Sequence, residues 1–407
     1  MSNVVTSHPT PAQPKKTWSQ RAGAEVKDLA DSTGKIKIPD FLFGFAMVFL
    51  SVQLPGGLPL GTVAVVIYTI YTFMRKAQFE NPRANVFVML MMLCVGFTAL
   101  TSITLGQSET GDVIRRVVRL MIVIAFVGVI ADRRVDFKSM ILGTASALVA
   151  NVPVFYAGLS SNTYGGYLTG WIPDKNVSGL WYAIIGLLLV VSLDKRHHKI
   201  LAVLFFGVFI YLTGSRTSTA AFIFGLIWLL VAGRLNLIAK IGLGAFVVWA
   251  VEYLTANFAN TAAFGDRTGT DALRERIDAA SLEKLNNTPW SGLGYGQATV
   301  DVENLTFFFH NSFWSLIVEG GYIYMIAVVA LMIIAVYAWK QPGELRGKKR
   351  VVIGEAALVL LFICSWRLGE VLLTTPWAMA VGLALSQLGV FKNRREIEYL
   401  SRVSSCN

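Results

Sequence analysis

Arginine and histidine are the residue types in this sequence whose placement suggests chemistry. The residues concerned are Arg115, Arg116, Arg119, Arg216, Arg267, Arg274, Arg276, Arg367 and His310. A guanidinium group offers a planar fork of N–H donors, which binds phosphate or pyrophosphate through two parallel hydrogen bonds. An imidazole accepts a proton near neutral pH. If the fold brings these side chains together, they suit a site that binds a phosphorylated ligand beside a proton acceptor.

The composition places these residues in a membrane protein. Of the 407 residues, 54% are hydrophobic and only 15% are charged, and the mean hydropathy is +0.56. A soluble domain carries about 25% charged residues, so an ordinary cytosolic enzyme and a disordered protein are both excluded. The net charge of +11 is attributed to cytoplasmic loops rather than to a nucleic-acid partner. The three cysteines show no disulfide framework.

Twelve apolar runs predict an all-α polytopic membrane protein with about 12 transmembrane helices. The runs are 40–56, 58–74, 85–106, 114–131, 138–157, 177–193, 200–214, 217–232, 235–254, 312–338, 351–372 and 376–391. Because backbone groups cannot remain unpaired in lipid, helices are the expected structure, and the sequence lacks the alternating pattern of a barrel.

The charges of the connections predict the orientation. Basic residues recur in every second connection, for example at Arg75, Arg133 and Lys195, and such connections face the cytoplasm. Both termini are then cytoplasmic, and the outer loop 255–309 lies outside, which in a bacterium is the periplasm. We therefore predict a bacterial inner-membrane protein with three parts. They are a disordered tail (1–38), a transmembrane domain (39–391) and a C-terminal tail (392–407).

The arginines named above break this pattern, because they fall on the predicted outer side. Arg115, Arg116 and Arg119 begin the fourth run, Arg216 lies in a short outer turn, and Arg367 ends the eleventh run. Charges at such positions are expensive and therefore indicate a function. Alternatively, each arginine extends to lipid headgroups or pairs locally with a carboxylate. The available carboxylates are Asp112, Asp266, Asp271, Glu275 and Glu370.

The outer loop has a predicted internal order that ends at His310. Asp271 is a predicted N-cap of a helix over 272–286, and the alternating glycines of 290–296 favour a tight, close-packed turn. His310, the only histidine predicted outside, follows at the start of the tenth run. It is a candidate proton acceptor, with a plain interfacial role as the alternative.

Metal and nucleotide sites are not expected. Asp301 and Glu303 form an acidic pair of the kind that hard cations bind, although such pairs are common in solvated loops. A zinc site is not expected, because only one histidine and no cysteine lie on the predicted outer side. The glycine spacings match neither a dinucleotide-binding fingerprint nor a P-loop. We predict no metal and no cofactor.

Three ordered segments resemble the O-antigen ligase and polymerase superfamily, which includes Wzy-type polymerases. They are Leu212-Thr-Gly-Ser-Arg216-Thr, then Arg274 followed by Pro289, Gly292, Gly294 and Gly296, and then His310-Asn311 followed by Glu319-Gly320. Pro173-Asp-Lys-Asn176 is similar to a further element of this superfamily. Two positions depart from the pattern. Leu273 stands where the superfamily usually has glycine, and Asp278 stands where it often has tryptophan, so Arg267 and Arg276 compete with Arg274 for the loop arginine.

The resemblance implies a GT-C-like membrane glycosyltransferase that acts at the periplasmic face without a metal and inverts the anomeric centre. Its donor would be a glycan on undecaprenyl pyrophosphate. His310 would be the general base, and Arg216 and Arg274 would bind the pyrophosphate. Further substrate-binding candidates are Arg115, Arg116, Arg119, Arg267, Arg276, Asn176, Asn311 and Glu319. For Glu319 a purely structural role is an equal alternative.

Within the superfamily, a polymerase extends a lipid-linked exopolysaccharide or O-antigen, whereas a ligase transfers the finished glycan to lipid A-core or to a protein. The modest size of the outer loop favours the polymerase. A transporter of a lipid-linked sugar is a third interpretation, and it predicts internal repeats and broken helices around a site in the middle of the membrane. A non-catalytic scaffold would explain neither His310 nor the arginines.

Overall fold

A computed structural model describes residues 36–55, 57–106, 108–258, 268–336, 349–387 and 390–391. Residues 1–35 of the predicted N-terminal tail, the C-terminal tail 392–407, and Arg267 with Asp266 lie outside the described residues. The predictions made for them are therefore untested.

The described residues form thirteen α-helices. Twelve of them fall in the twelve apolar runs, and the other lies in the outer loop. They are α1 (Ile38–Ala46), α2 (Leu60–Phe73), α3 (Pro82–Leu105), α4 (Thr110–Ala131), α5 (Phe137–Tyr156), α6 (Lys175–Ser192), α7 (Arg196–Leu212), α8 (Arg216–Val231), α9 (Leu237–Phe258), α10 (Thr268–Asn286), α11 (Ser312–Val336), α12 (Lys349–Arg367) and α13 (Thr375–Ser386). A short 3-10 helix, Ala232–Arg234, follows α8. The all-α class is confirmed, and α10 is the predicted helix of the outer loop. It begins at Thr268, so the prediction that Asp271 is its N-cap was wrong.

Three small antiparallel pairs of strands accompany the helices. β1 (Gln53–Leu54) pairs with β2 (Leu58–Pro59), and β3 (Phe79–Glu80) pairs with β6 (Val390–Phe391). The longest pair joins β4 (Thr299–Val302) to β5 (Leu305–Phe308) in the outer loop. This hairpin leads the chain from α10 back to the membrane helix α11.

Among the described residues, four helices are long and apolar enough to cross a membrane, judged by length and composition. They are α3, α5, α8 with its 3-10 turn, and α11. Shorter apolar helices lie in α2, α6, α9 and α13. These helices indicate a membrane protein, whereas the number of crossings and their direction are still predictions.

The first predicted span is shorter than expected. α1 ends at Ala46, so it covers only the first part of the run 40–56, and the β1–β2 hairpin takes up the rest. Gly57 turns this hairpin with a φ of +73°. At about 1.5 Å per residue, the nine residues of α1 fall short of a hydrocarbon core of about 30 Å.

The centre of the molecule is formed by α6 and α13, which are buried on every side. Every residue of α13 from Pro376 to Ser386 is buried, and so is the central part of α6 from Leu180 to Leu189. A helix that is apolar all round is stable only when other helices enclose it. The helices that carry the candidate site residues therefore pack around a fixed core.

Helix α11 is broken at Gly321, which the run 312–338 did not predict. Gly321 has φ +81° and ψ +175°, so the regular hydrogen bonds of the helix are interrupted there. The backbone N–H groups of Leu293 and Gly294 donate to the carbonyl oxygens of Val318 and Glu319, at 2.7 and 2.9 Å. The outer loop thus satisfies backbone acceptors that the break leaves open, as buried backbone groups require.

Candidate functional site

His310 is fixed between the outer hairpin and the first turn of α11. β5 ends at Phe308, and the side-chain oxygen of Asn311 accepts hydrogen bonds from the backbone N–H groups of Phe313 (2.9 Å) and Trp314 (3.2 Å). Asn311 therefore caps α11, a role for which asparagine is among the preferred residues. The predicted position of His310 at a helix start is confirmed.

The segment around His310 is fastened to the end of α12. The Ser312 hydroxyl donates to the carbonyl oxygens of Leu368 (2.7 Å) and Gly369 (2.8 Å) and accepts from the N–H of Val371 (3.2 Å). A Cβ atom at position 369 would lie 1.9 Å from the carbonyl oxygen of Phe309, so only glycine permits this approach. Residues 309–312 and 367–370 consequently form one packed unit.

This packed unit contributes to two cavities. The first, of about 230 Å³, contains Phe309, Ser312 and Gly369 in its wall; we call it the arginine–glutamate cavity, after Arg116 and Glu319. The second, of about 260 Å³, is the histidine cavity. Its lining consists of Arg274, Asp278, His310, Asn311, Trp314, Trp366 and Arg367. Neighbouring residues of a short segment therefore line different cavities.

The arginine–glutamate cavity is built around a buried ion pair. Nη2 of Arg116 lies 2.8 Å from each carboxylate oxygen of Glu319, which is 3% exposed. Arg119 and Glu370 add one charge of each sign to the wall. Glu319 also accepts a hydrogen bond from the N–H of Gly296 (3.1 Å). These contacts stabilise a carboxylate that would be costly to bury alone.

The glycine-rich loop completes that cavity. Gly292, Gly294 and Gly296 have φ values of +80°, +98° and +86°, so the predicted tight turn is confirmed. Between them, Tyr295 is buried, and its N–H donates to the Ser102 hydroxyl of α3 at 2.8 Å. Burial raises the pKa of the Tyr295 hydroxyl, which therefore remains protonated.

The histidine cavity combines cations, a carboxylate and indole rings. Nδ1 of His310 lies 3.3 Å from Oδ1 of Asp278, and Nη2 of Arg274 donates to the backbone oxygen of Arg367 at 2.7 Å. Arg274 and Asp278 are four residues apart on α10, so they share one face of that helix. The structure therefore brings Arg274 and Asn311 to His310, as the sequence predicted, and adds Asp278 and Arg367.

Arg216 begins α8 near this cavity but does not line it. Ser215 caps α8 by accepting from the N–H of Ser218. Gly225 of α8 lies against Leu360 of α12, while Trp228, further along α8, donates to Glu355, nearer the start of α12. The two helices therefore run antiparallel, and Arg216 and Arg367 lie at the same end of the pair. Arg216 is therefore close to the site in the fold, outside the walls of both cavities.

Other candidate residues make local contacts, as the alternative interpretation stated. Arg115 forms an exposed ion pair with Asp112 at 2.6 Å, and Arg276 forms an exposed ion pair with Glu303. Asn176 lies in the first turn of α6, where its N–H is bound by the capping side chain of Asp174. None of these three candidates lines either cavity.

Asp301 and Glu303, the acidic pair of the outer hairpin, also make contacts with neighbouring side chains. Asp301 accepts a hydrogen bond from the Thr306 hydroxyl at 2.6 Å, while Glu303 pairs with Arg276. In the part of the chain that the structure describes, no three His, Cys, Asp or Glu side chains are grouped so that they could hold a metal ion.

Sequence reasoning missed several residues of the histidine cavity. Asp278 was noted only as a departure from the superfamily pattern, and Arg367 was noted as misplaced but given no role. The spacing of Asp278 from Arg274 on a predicted helix was a usable signal for the carboxylate. Trp314 and Trp366 gave no signal, because tryptophan is also common at membrane interfaces.

No family model and no curated protein matches this chain. The resemblance to the O-antigen ligase and polymerase superfamily therefore remains a prediction that rests on the sequence motifs alone.

Proposed function

We propose that this protein is a glycosyltransferase that polymerises undecaprenyl-pyrophosphate-linked repeat units of an exopolysaccharide or O-antigen at the periplasmic face of the inner membrane. The observation that carries the proposal is the histidine cavity, which is lined by His310 together with Arg274 and Arg367. A proton acceptor and guanidinium groups are the two components that this transfer needs.

In the proposed reaction, a hydroxyl oxygen of the acceptor sugar attacks the anomeric carbon of the donor. The new glycosidic bond forms as the bond to the pyrophosphate oxygen breaks, and the pyrophosphate leaves with the electron pair. His310 accepts the hydroxyl proton, and a single displacement inverts the anomeric centre. Arg274 stabilises the charge that develops on the leaving group, and Arg216 assists from the neighbouring helix end. Neither a metal nor a cofactor takes part in this scheme.

The aromatic residues of the cavity support a sugar as the substrate. Trp314 and Trp366 line the same cavity as His310 and Asp278. Sites for small molecules combine apolar and aromatic walls with a few placed polar groups. Flat indole faces suit the apolar faces of sugar rings, while the carboxylate and imidazole suit sugar hydroxyls.

The adjoining arginine–glutamate cavity supports a charged and partly apolar ligand. Arg116 and Arg119 stand among apolar side chains such as Leu120, Val123 and Leu316. We assign these two arginines to the positive field around the lipid-linked pyrophosphate. The bilayer and the growing glycan are then the partners of this face of the protein.

The proposed orientation has twelve crossings and both termini in the cytoplasm, and its first crossing consists of α1 together with the chain that continues it to β1. It predicts that Lys195 is inside and that Glu283, an exposed residue of α10, is outside. Single cysteines at these two positions, in a variant without the native cysteines, are expected to react with a membrane-impermeant thiol reagent from opposite sides. Reaction of both from one side contradicts the orientation.

The decisive experiment measures transfer from a synthetic undecaprenyl-pyrophosphate glycan by the purified protein. His310→Ala is expected to lower the rate by about 10²-fold or more while the protein remains folded, because the acceptor hydroxyl loses its proton acceptor. His197→Ala is the matched control, since His197 is an exposed histidine at the predicted cytoplasmic end. A His310→Ala rate within a few-fold of the wild type contradicts the proposed role.

The same assay separates the polymerase from a ligase. A polymerase lengthens the glycan when the lipid-linked donor is the only sugar present. A ligase transfers it only when lipid A-core or an acceptor protein is added. Formation of long products from the donor alone is the result that we expect.

A transporter of lipid-linked sugars is the second candidate, and the break of α11 at Gly321 favours it. Discontinuous helices surround the binding sites of many transporters. A transporter would move the labelled donor across a vesicle membrane without forming a glycosidic bond. Transfer that requires His310 favours the enzyme instead.

A further inference from the structure

We propose that Asp278 is the positioning residue of His310 and selects the nitrogen that receives the proton. The inference rests on the proposed function, because it concerns how the base of that reaction works. It starts from the contact between the two side chains, in which Oδ1 of Asp278 lies 3.3 Å from Nδ1 of His310.

The chemistry of this contact determines the tautomer of the ring. An ionised carboxylate can only accept a hydrogen bond, so Nδ1 of His310 must carry the proton that it donates to Asp278. The lone pair of the neutral ring is then on Nε2. Nε2 takes the proton of the acceptor hydroxyl, and the resulting imidazolium is stabilised by the neighbouring carboxylate.

The fold holds the two partners at this distance from opposite sides. Ile277, next to Asp278 on α10, is 2% exposed and packs in a cluster with Phe309, next to His310. Lys284 ties the same helix to the hairpin by donating to the backbone oxygen of Thr299 at 2.9 Å. The carboxylate and the imidazole thus belong to backbones that are packed against each other.

The surroundings of His310 and Asp278 suit a general base that a substrate can reach, rather than a buried ion pair with a purely structural role. The side chains of His310 and Asp278 are 31% and 36% exposed, and both line the histidine cavity. The other charged groups that line this cavity are Arg274 of α10 and Arg367 of α12, both cations. The imidazole is thus accessible to a substrate while one of its nitrogens is engaged.

The test compares Asp278→Asn and Asp278→Glu in the transfer assay with the full-length purified protein. The amide of asparagine can present either an oxygen or an N–H to Nδ1, so the ring is no longer held in one tautomer. We expect kcat to fall roughly tenfold, the lower end of the range for a charged hydrogen bond because the pair is partly exposed. KM for the donor is expected to stay the same, and Asp278→Glu should recover part of the loss.

Two controls separate positioning from a structural effect. Glu283→Gln neutralises an exposed carboxylate elsewhere on α10 and should leave kcat unchanged. In a His310→Ala background, Asp278→Asn should change the remaining rate by less than about twofold, because residues that act through one another are not additive.

The outcomes distinguish this inference from the proposed function. If His310→Ala is inactive while Asp278→Asn retains the wild-type kcat, the inference fails and the proposed function survives. An equal loss from Asp278→Asn in the wild-type and His310→Ala backgrounds also overturns it, since it indicates a structural role. If His310→Ala is fully active, the proposed function itself fails.

Discussion

Buried or half-buried ion pairs occur at both ends of the helices, but they differ in what surrounds them. At the predicted cytoplasmic end, Arg75 binds Asp40 at 2.7 and 2.9 Å, and Lys240 binds Glu355 at 2.6 and 2.7 Å. We call these the inner pairs. Tyr68 also donates to Asp40, and Trp228 donates to Glu355 at 3.2 Å. Neither inner pair lines either of the two cavities.

The pairs at the predicted outer end, Arg116 with Glu319 and His310 with Asp278, line cavities that contain further cations. In the inner pairs each charge is matched by its partner, so the result is a neutral packing unit. At the outer end, additional guanidinium groups face an open volume. The difference teaches that a buried ion pair does not by itself indicate a function, whereas an ion pair that lines an open cavity together with further charged groups does.

Breaking one inner and one outer ion pair is expected to have the largest effect on the stability of the fold. Glu355→Ala and Glu319→Ala each leave a largely buried cation without its partner, and each should destabilise the fold by about 3–5 kcal/mol. Thermal unfolding in detergent measures this loss. Transfer per folded molecule should be unchanged in Glu355→Ala and reduced in Glu319→Ala. Equal activity of the two folded variants would remove the distinction between the inner and outer pairs.

Replacement of the loop arginine should have the next largest effect. Arg274→Lys keeps the charge but loses the planar fork, so it should be nearly as damaging as Arg274→Ala. A charged hydrogen bond to the leaving group contributes about 1.5–3 kcal/mol, or about 10–150-fold in transfer rate. We expect the same of Arg216→Lys. Full activity of Arg216→Ala and Arg274→Ala combined would exclude the pyrophosphate-binding role.

Arg276→Ala is the matched control for Arg274, since it lies on the same helix in an exposed pair with Glu303. If the Arg276 variant loses activity while the Arg274 variant retains it, the loop arginine has been misassigned by two positions.

Arg115 should show the smallest effect, although it is adjacent to Arg116 in the sequence. Its exposed pair with Asp112 resembles surface ion pairs, whose contribution is typically within 1 kcal/mol. Arg115→Ala should therefore change the rate of transfer by less than about fivefold, whereas Arg116→Ala should cost more. Kinetics of both variants at low and high salt measure the difference. Equal losses would favour a diffuse positive field over a defined cavity.

Much of the fold could be predicted because long apolar runs in a sequence indicate membrane helices. The bounds of α5 and α8 agree closely with their predicted runs. The short α1 and the broken α11 could not be predicted, because an apolar run has the same composition whether its helix is whole or interrupted. Gly321 breaks α11 only because the loop at Leu293 and Gly294 supplies the missing hydrogen bonds, and that contact joins distant parts of the sequence.

The residues of the candidate site could be predicted where their type and their predicted side of the membrane were enough to identify them. Sorting by side singled out His310 and the outer arginines, and the structure groups His310 with Arg274. The predicted side of the membrane could not distinguish Arg115 from Arg116, because adjacent residues on a helix point in different directions. Asp278 needed knowledge of which helix face meets His310, and one sequence does not contain that information.

The attachment of the glycine-rich loop to the broken helix α11 has a consequence for how a long product would leave the proposed polymerase. If the loop moved away, the carbonyl oxygens of Val318 and Glu319 would lose their hydrogen bonds to the loop. Each lost hydrogen bond would cost a free energy of about 1–3 kcal/mol. The loop therefore acts as a fixed rim of the site rather than as a swinging lid. In the proposed polymerase, a growing glycan would therefore leave past this loop without displacing it.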